Sequence, residues 1–118
     1  MRVAAVIMGV MLTGCSAMFQ PLTSRDVVGQ MVVSAITIAD CMQTHEFKHL
    51  GLKEQNTFLG DHPSDTRVDL FCAAAIGVQW LGLYAIPEKA RPYYQLAVGG
   101  GEIWAVRHNH RDGAKIDF

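Results

Sequence analysis

A histidine–glutamate pair followed by a second histidine is the first feature of this sequence that could carry chemistry. His45, Glu46 and His49 stand in the order H-E-x-x-H. On a helix this spacing puts two imidazoles on one face, where they bind zinc, and the glutamate acts as a general base. Four further residues could supply the third ligand, none at a characteristic spacing: Glu54, His62, His108 and His110. A zinc-dependent hydrolase is therefore the alternative function, and the leading interpretation has no catalytic residue, no metal site and no cofactor.

Three polar side chains lie in long apolar stretches of the chain: Asp40, Gln79 and Glu102. A carboxylate in such surroundings is costly unless it pairs or becomes protonated. The donor-rich run Arg107-His108-Asn109 follows the stretch that contains Glu102. We therefore predict that Asp40 or Glu102 bonds directly to another helix or to the loop over 54–63. A polar network that only fixes helix register is the simpler interpretation of the same residues.

The third feature of the sequence that suggests chemistry is the setting of Cys15. A positive start, Met1-Arg2, precedes an apolar run over 3–11 that is shorter than the about 20 residues of a membrane-spanning helix. This combination is typical of a signal peptide. The segment Leu12-Thr13-Gly14-Cys15 closely resembles the lipobox of bacterial lipoproteins. That resemblance implies cleavage before Cys15 and a diacylglycerol on its thiol, the alternative being an ordinary secretory signal or a buried cysteine.

The lipobox resemblance also implies a domain organisation and an address in the cell envelope. Residues 1–14 would be the signal peptide, 15–25 a lipidated tether, and 26–118 a helical membrane-associated domain. Two or three acyl chains, palmitate among them, anchor a protein stably to a membrane. Ser16 stands where an Asp would favour retention in the inner membrane. The resemblance therefore favours the outer membrane over the inner one.

Two cysteines remain once Cys15 is acylated, and their state is left open by the sequence. Cys41 falls late in the first predicted helix and Cys72 early in the second, so an antiparallel hairpin would bring them together. A disulfide suits an oxidising compartment. Both cysteines also lie in apolar sequence, where a free thiol behaves as a small hydrophobic side chain.

The sequence predicts an all-α fold, a compact bundle of three main apolar helices after the signal peptide. We expect helices over about 26–47, 65–86 and 92–112, joined first by a loop over 48–63. The signals at their ends are a capping box, an N-cap, two prolines and a glycine: Thr23 with Asp26, Ser64, Pro87, Pro92 and Gly113.

Two further expectations concern what the helices contact. The second helix is apolar from 70 to 86 except at Gln79, which makes it a marginal membrane-spanning segment, and we expect the second and third helices to lie in or against the bilayer. In the third helix Ala97, Gly101 and Ala105 form a stripe of small residues. Such a stripe lets a neighbouring helix approach closely.

The amino-acid composition restricts the class of protein to which this chain can belong. The 118 residues allow one domain. Hydrophobic residues make up 50%, charged residues 18%, and the mean hydropathy is +0.16, whereas soluble domains usually have about 25% charged residues. The formal net charge is −1 and there is no Lys/Arg run. Nucleic acid is excluded as a partner, because phosphate binding needs a concentrated basic face.

Three motifs together resemble a group of small bacterial and phage lipoproteins. They are Asp40-x-x-Gln43-Thr44, Glu54-x-Asn56-x-x-Leu59-Gly60-x-x-Pro63-Ser64 and Glu102-x-x-x-x-Arg107-His108-Asn109. With the lipobox they cover nearly the whole chain. The group usually has proline where this chain has Thr57, so we expect a less rigid loop here. No activity is established for the group, so the resemblance implies a fold and an address without a reaction.

The motifs define a candidate polar cluster at one end of the bundle, where the first helix ends and the second begins. Its members are Asp40, Gln43, Thr44, Glu54, Asn56, Glu102, Arg107, His108 and Asn109. The leading hypothesis is a lipid-anchored envelope protein with a binding or structural role, surface exclusion of competing phage being one example. The expected partners are membrane lipid, through acylated Cys15, and another envelope protein.

Overall fold

The computed structural model describes residues 18–49, 59 and 63–113, with side chains as far as 46 in the first range. Three long helices account for most of them: α1 over Ser24–His49, α2 over Asp65–Ala85 and α3 over Arg91–Arg111. A short 3-10 helix, Glu88–Ala90, precedes α3. The described ranges contain no strand, and the predicted all-α bundle is confirmed. The lipobox and the signal peptide lie outside the described residues.

The helix ends form where the sequence signals them. At the start of α1, the Thr23 amide donates to Asp26 Oδ2 (2.9 Å) and the Asp26 amide donates to Thr23 Oγ1 (3.1 Å), which is the predicted capping box. Ser64 caps α2 by accepting from the Arg67 amide (3.2 Å). Gly113 follows α3 with φ of +105°, a backbone conformation that favours glycine.

The helices alternate in direction along the chain. Near the start of both α1 and α3, Gln95 Nε2 donates to the Asp26 carbonyl (2.7 Å), and near their ends Gln43 Nε2 donates to the Val106 carbonyl (2.9 Å). These two helices are therefore parallel. The hairpin connection makes α2 antiparallel to both, and its first half lies beside the last half of α1. One end of the bundle thus holds the starts of α1 and α3 with the end of α2.

The glycine run of α3 packs through Gly99. This residue is buried, and a Cβ built on it would lie 3.3 Å from Val33 Cγ2 on α1. A Cβ on Gly101 would meet nothing within 4 Å, and both Gly101 and Ala97 are exposed. The prediction that the stripe faces a neighbouring helix is therefore wrong for Ala97 and Gly101, whereas Ala105 is half-buried and lines a cavity between the three helices. The inward face of α3 is instead the one that carries its hydrogen-bonding side chains.

The interior of the bundle is rich in polar groups. In the part of the chain that the structure describes, seven polar or charged residues are buried: Asp26, Gln30, Thr37, Gln43, Thr44, Gln79 and Arg91. The buried hydrophobic residues in the described ranges are Val33, Leu59, Val68 and Leu83.

The outer surface is apolar over much of its area. Among the described residues fifteen large hydrophobic side chains are exposed: Met18, Phe19, Val28, Met31, Val32, Ile38, Met42, Leu70, Val78, Leu81, Tyr84, Tyr93, Leu96, Ile103 and Trp104. Water-soluble domains bury most such side chains and expose most polar ones. Along the middle of its helices this bundle has the reverse arrangement, whereas charged residues at the helix ends remain exposed.

Two described helices are long and apolar enough to cross a membrane, judged by length and composition: α1 over Ser24–Glu46 and α2 over Asp65–Ala85. The expectation for the second helix is met in that sense. The third helix does not pass the same length and hydropathy criterion, and its contact with the bilayer stays a prediction. Polar and charged residues near the end of α3, from Glu102 to Arg111, account for the difference.

Candidate functional site

A cavity of about 330 Å³ lies between the three helices beside the Cys41–Cys72 pair. Of the predicted polar cluster, it brings together Asp40, Thr44, Glu102, His108 and Asn109. The loop motif contributes Leu59, which is buried against the same cavity. The polar residues of the same motif, Glu54 and Asn56, lie outside the described residues. Gln43 and Arg107 border a different cavity, between α1 and α3.

Asp40 and Asn109 connect α1 to α3 at this cavity. The Asn109 side-chain amide donates to Asp40 Oδ1 over 2.9 Å. Thr44, one turn after Asp40, donates its hydroxyl to the Asp40 carbonyl (3.2 Å) and so remains satisfied inside its own helix. A carboxylate that accepts a hydrogen bond from a second helix satisfies the sequence prediction for Asp40.

Glu102 is held by a second polar group, centred on the buried side chain of Gln79. Gln79 Nε2 donates to Glu102 Oε1 (3.2 Å) and also contacts the Thr37 hydroxyl (3.2 Å). The Thr37 hydroxyl in turn lies 3.3 Å from Gln79 Oε1 and 3.1 Å from the Val33 carbonyl, both of which can accept its proton. One glutamine therefore bridges α1, α2 and α3, and the predicted interhelical contact is confirmed for Glu102 as well.

The electrostatics of Glu102 follow from its position in this group. Burial raises the pKa of the carboxyl above its ordinary value of 4.5, and hydrogen bonds from Thr37 and Gln79 offset part of that rise. Glu102 is half-buried, so water still reaches it. The site thus holds two acids, Asp40 and Glu102, each of which accepts a hydrogen bond from a neutral amide of another helix.

A disulfide joins Cys41 of α1 to Cys72 of α2, with their Cα atoms 6.2 Å apart. Of the two alternatives that the sequence leaves open, the structure has the bonded one. The bond closes the loop that contains the Glu54–Ser64 motif, and in the chain-entropy model such a closure is worth roughly 3–4 kcal/mol. It also forms one wall of the polar cavity.

The H-E-x-x-H segment lies at the end of α1. His45 Nε2 is 2.9 Å from Asp69 Oδ1, and His45 Nδ1 is 3.4 Å from Asp65 Oδ1. Both ring nitrogens therefore face carboxylates at the start of α2. The side chain of His49 lies outside the described residues, and within the described part of the chain no group of three or more His, Cys, Asp or Glu could hold a metal ion.

Sequence reasoning missed Arg91, the most completely enclosed charge in the described structure. Its guanidinium is fully buried and donates to Asp26 Oδ2 (2.9 Å) and to the Leu83 carbonyl (3.2 Å). It also donates to the carbonyls of Gln20 (2.6 Å) and Pro21 (3.1 Å). Arg91 thereby joins the N-terminal tether to the starts of α1 and α3 and the end of α2. The available signal was an arginine placed directly before the helix-starting proline.

Comparison with known proteins adds no relative: no family model, no curated protein and no solved structure matches the chain. The functional argument therefore depends on the geometry of the bundle. That geometry has three parts, which are the polar interior, the apolar exterior and the tether that Arg91 holds.

Proposed function

We propose that this chain is a lipid-anchored cell-envelope protein whose bundle lies in contact with lipid and has a binding or structural role. The observation that supports this most is the reversed polarity of the bundle. Leu70, Leu81 and Trp104 are 67%, 68% and 68% exposed, while Gln30 and Arg91 are fully buried. In a hydrocarbon environment polar side chains face the interior of a helix bundle and apolar side chains face the acyl chains.

Water is the less favourable surrounding for such a surface. Each square ångström of apolar area left in water costs about 25 cal/mol, and soluble monomers rarely expose connected apolar patches of more than a few hundred square ångströms. The exposed residues here follow α1, α2 and α3 along their length. An apolar surface on all three helices needs a covering that surrounds the bundle, and acyl chains provide one.

The position of the N-terminal tether supports a lipid anchor at a short distance from the bundle. Because Arg91 holds the carbonyls of Gln20 and Pro21, the chain is fixed to the bundle about five residues after Cys15. Five residues span at most about 18 Å. An acylated Cys15 would therefore keep this end of the bundle at the membrane surface.

Aromatic side chains gather at the same end. The rings of Phe19 and Tyr84 lie edge to face with centroids 5.6 Å apart, and Tyr93 is 75% exposed near the start of α3. Tyrosine is enriched at the boundary between hydrocarbon and headgroups, where its ring is apolar and its hydroxyl meets water. Their position agrees with a bundle whose tethered end lies at that boundary.

Lipidation is tested by replacing Cys15 with serine in cells that process lipoproteins. Serine lacks the thiolate that takes the diacylglycerol, so we expect an uncut precursor with no label from a fatty-acid probe. Cys41→Ser with Cys72→Ser is the matched control, because it removes two cysteines and should leave both label and cleavage unchanged. Normal labelling and processing of Cys15→Ser would refute the anchor.

Lipid contact of the bundle is tested through Trp104. The chain has one other tryptophan, Trp80, which is half-buried and donates to Ser34 Oγ (3.0 Å). The Trp80→Phe variant therefore leaves Trp104 as the single fluorescent reporter. In vesicles whose acyl chains carry bromine we expect strong quenching of its fluorescence and weak quenching by aqueous iodide. The opposite pattern would place the surface in water and contradict the proposal. Trp104→Phe, which keeps Trp80, is the control for quenching of a half-buried ring.

A further inference from the structure

An apolar groove runs between the parallel helices α1 and α3 on the outside of the bundle. It consists of two adjoining cavities of about 600 and 930 Å³, which share Val32, Ile36 and Ile103. Three glycines line the groove or its floor: Gly29, Gly99 and Gly100. The side chains of Gln95 and Val33 lie over Gly29 and Gly99, and the residues shared by the two cavities make the groove continuous along both helices.

The larger cavity ends at a group of basic side chains: Arg107, His110 and Arg111. In the described structure none of the three side chains makes a hydrogen bond or an ion pair with another described residue, and the nearby acid Asp112 pairs with His108 (3.3 Å). Arg107 and Arg111 keep their charge at every physiological pH. The groove therefore joins an apolar channel to uncompensated positive charge.

We propose that this groove binds an anionic phospholipid, with one acyl chain along α1 and α3 and the phosphate at Arg107, His110 and Arg111. The proposal rests on the lipid contact proposed above and names the lipid class. Arginine pairs with phosphate through two parallel hydrogen bonds, and basic pockets between membrane helices bind anionic headgroups.

The length of the larger cavity agrees with one acyl chain. Along α1 it extends from Val32 to Gln43, which at 1.5 Å per residue is about 16 Å. One leaflet provides about 15 Å of hydrocarbon, half of the usual core thickness. A chain that starts at the basic group would therefore end near Val32, where the second cavity begins.

A helix from a second copy fits the groove less well. Its apolar side chains would cover Ile36 and Ile103, but it would also take Arg107 and Arg111 out of water without a counter-charge. Burying charges without a partner is costly. A phospholipid brings the apolar chain and the negative charge in one molecule.

The test uses the full acylated chain, purified in mild detergent and titrated with phosphatidylglycerol or phosphatidylcholine while bound lipid is counted by native mass spectrometry. We expect one phosphatidylglycerol to be retained in preference to phosphatidylcholine. Arg107→Gln with Arg111→Gln should weaken that binding about 25-fold, since each basic residue near an anionic headgroup contributes about fivefold. Arg67→Gln with Lys89→Gln is the control, because these exposed residues lie outside the groove.

A second pair of variants tests the apolar part. Ala35 lines the larger cavity and Ala73 is an exposed alanine of α2. We expect Ala35→Phe to reduce phosphatidylglycerol retention and Ala73→Phe to leave it unchanged. Equal retention of the two lipids, or no loss in either groove variant, overturns the proposal. A dimer abolished by Ala35→Phe would also overturn it and identify the groove as an interface between copies. Absence of Trp104 quenching by brominated lipid would instead refute the lipid contact on which the proposal rests.

Discussion

Replacing Arg91 with methionine should lower the free energy of unfolding by about 3–5 kcal/mol. The variant keeps the aliphatic volume and removes the guanidinium. The Asp26 carboxylate, 6% exposed in its side chain, would lose its charged partner inside the bundle. The carbonyls of Gln20, Pro21 and Leu83 would lose a donor as well. Removing one partner of a buried pair is expensive because the other group stays desolvated.

The measurement is denaturant unfolding in detergent, with Arg25→Met as the matched control. Arg25 is an exposed arginine adjacent to Asp26, and its loss should change stability by no more than about 0.5 kcal/mol. Asp26→Asn and the double variant complete a cycle that isolates the coupling between the two charges. We also expect faster proteolysis of the tether in Arg91→Met, since its carbonyls are no longer held. A variant that unfolds like the parent, with an unchanged tether, would show that the cluster is not a structural anchor.

Local signals predicted the helices well because each signal acts on its own neighbours. The capping box at Thr23 and Asp26, the N-cap at Ser64 and the glycine after α3 depend on residues within one turn. The interhelical contacts of Asp40 and Glu102 were predictable for a different reason. A carboxylate in an apolar stretch has few ways to be satisfied, and another helix supplies the nearest donor.

Which face of each helix points inward was harder to predict. In α1 the interior positions Gln30, Thr37 and Thr44 recur every seven residues, a polar stripe within an otherwise apolar helix. A prediction that assigns apolar residues to the core overlooks this stripe, because it assumes that the outer surface of the bundle faces water. The spacing of small residues selects Gly101 rather than Gly99 as the contact glycine of α3, because Ala97 and Ala105 lie four residues to either side of it.

Contacts distant in sequence could not be inferred from spacing. Arg91 meets Gln20 and Asp26 only after α2 has returned the chain to the start of α1. His45 meets Asp65 and Asp69 because the same hairpin brings the start of α2 to the end of α1. The H-E-x-x-H pattern carries no information about those carboxylates, although they lie beside both ring nitrogens of His45, one of which zinc would need.

Replacing Gln79 with leucine should cost about 1 kcal/mol at neutral pH, the lower end of the usual cost of an unsatisfied group, because Glu102 is half-buried and water reaches it. Leucine has a similar size and cannot donate to Glu102, whereas Thr37 keeps the Val33 carbonyl as an acceptor. The ionised carboxylate of Glu102 is then the group left without its donor. The double variant Gln79→Leu with Glu102→Leu removes that charge too and should recover most of the loss.

The pH dependence of this loss distinguishes a stranded carboxylate from a packing defect. Losing the Gln79 donor raises the pKa of folded Glu102 further above its ordinary 4.5. Between 4.5 and that raised pKa the folded state keeps a proton that the unfolded state has released, so stability falls as pH rises through this window. Below 4.5 the carboxyl is protonated in both states and the defect of Gln79→Leu should be smallest. Thermal unfolding in detergent across this range should show the widening gap for the single variant and none for the double variant. A constant gap would mean that leucine disturbs packing alone, and Gln79 would then not be the group that satisfies Glu102.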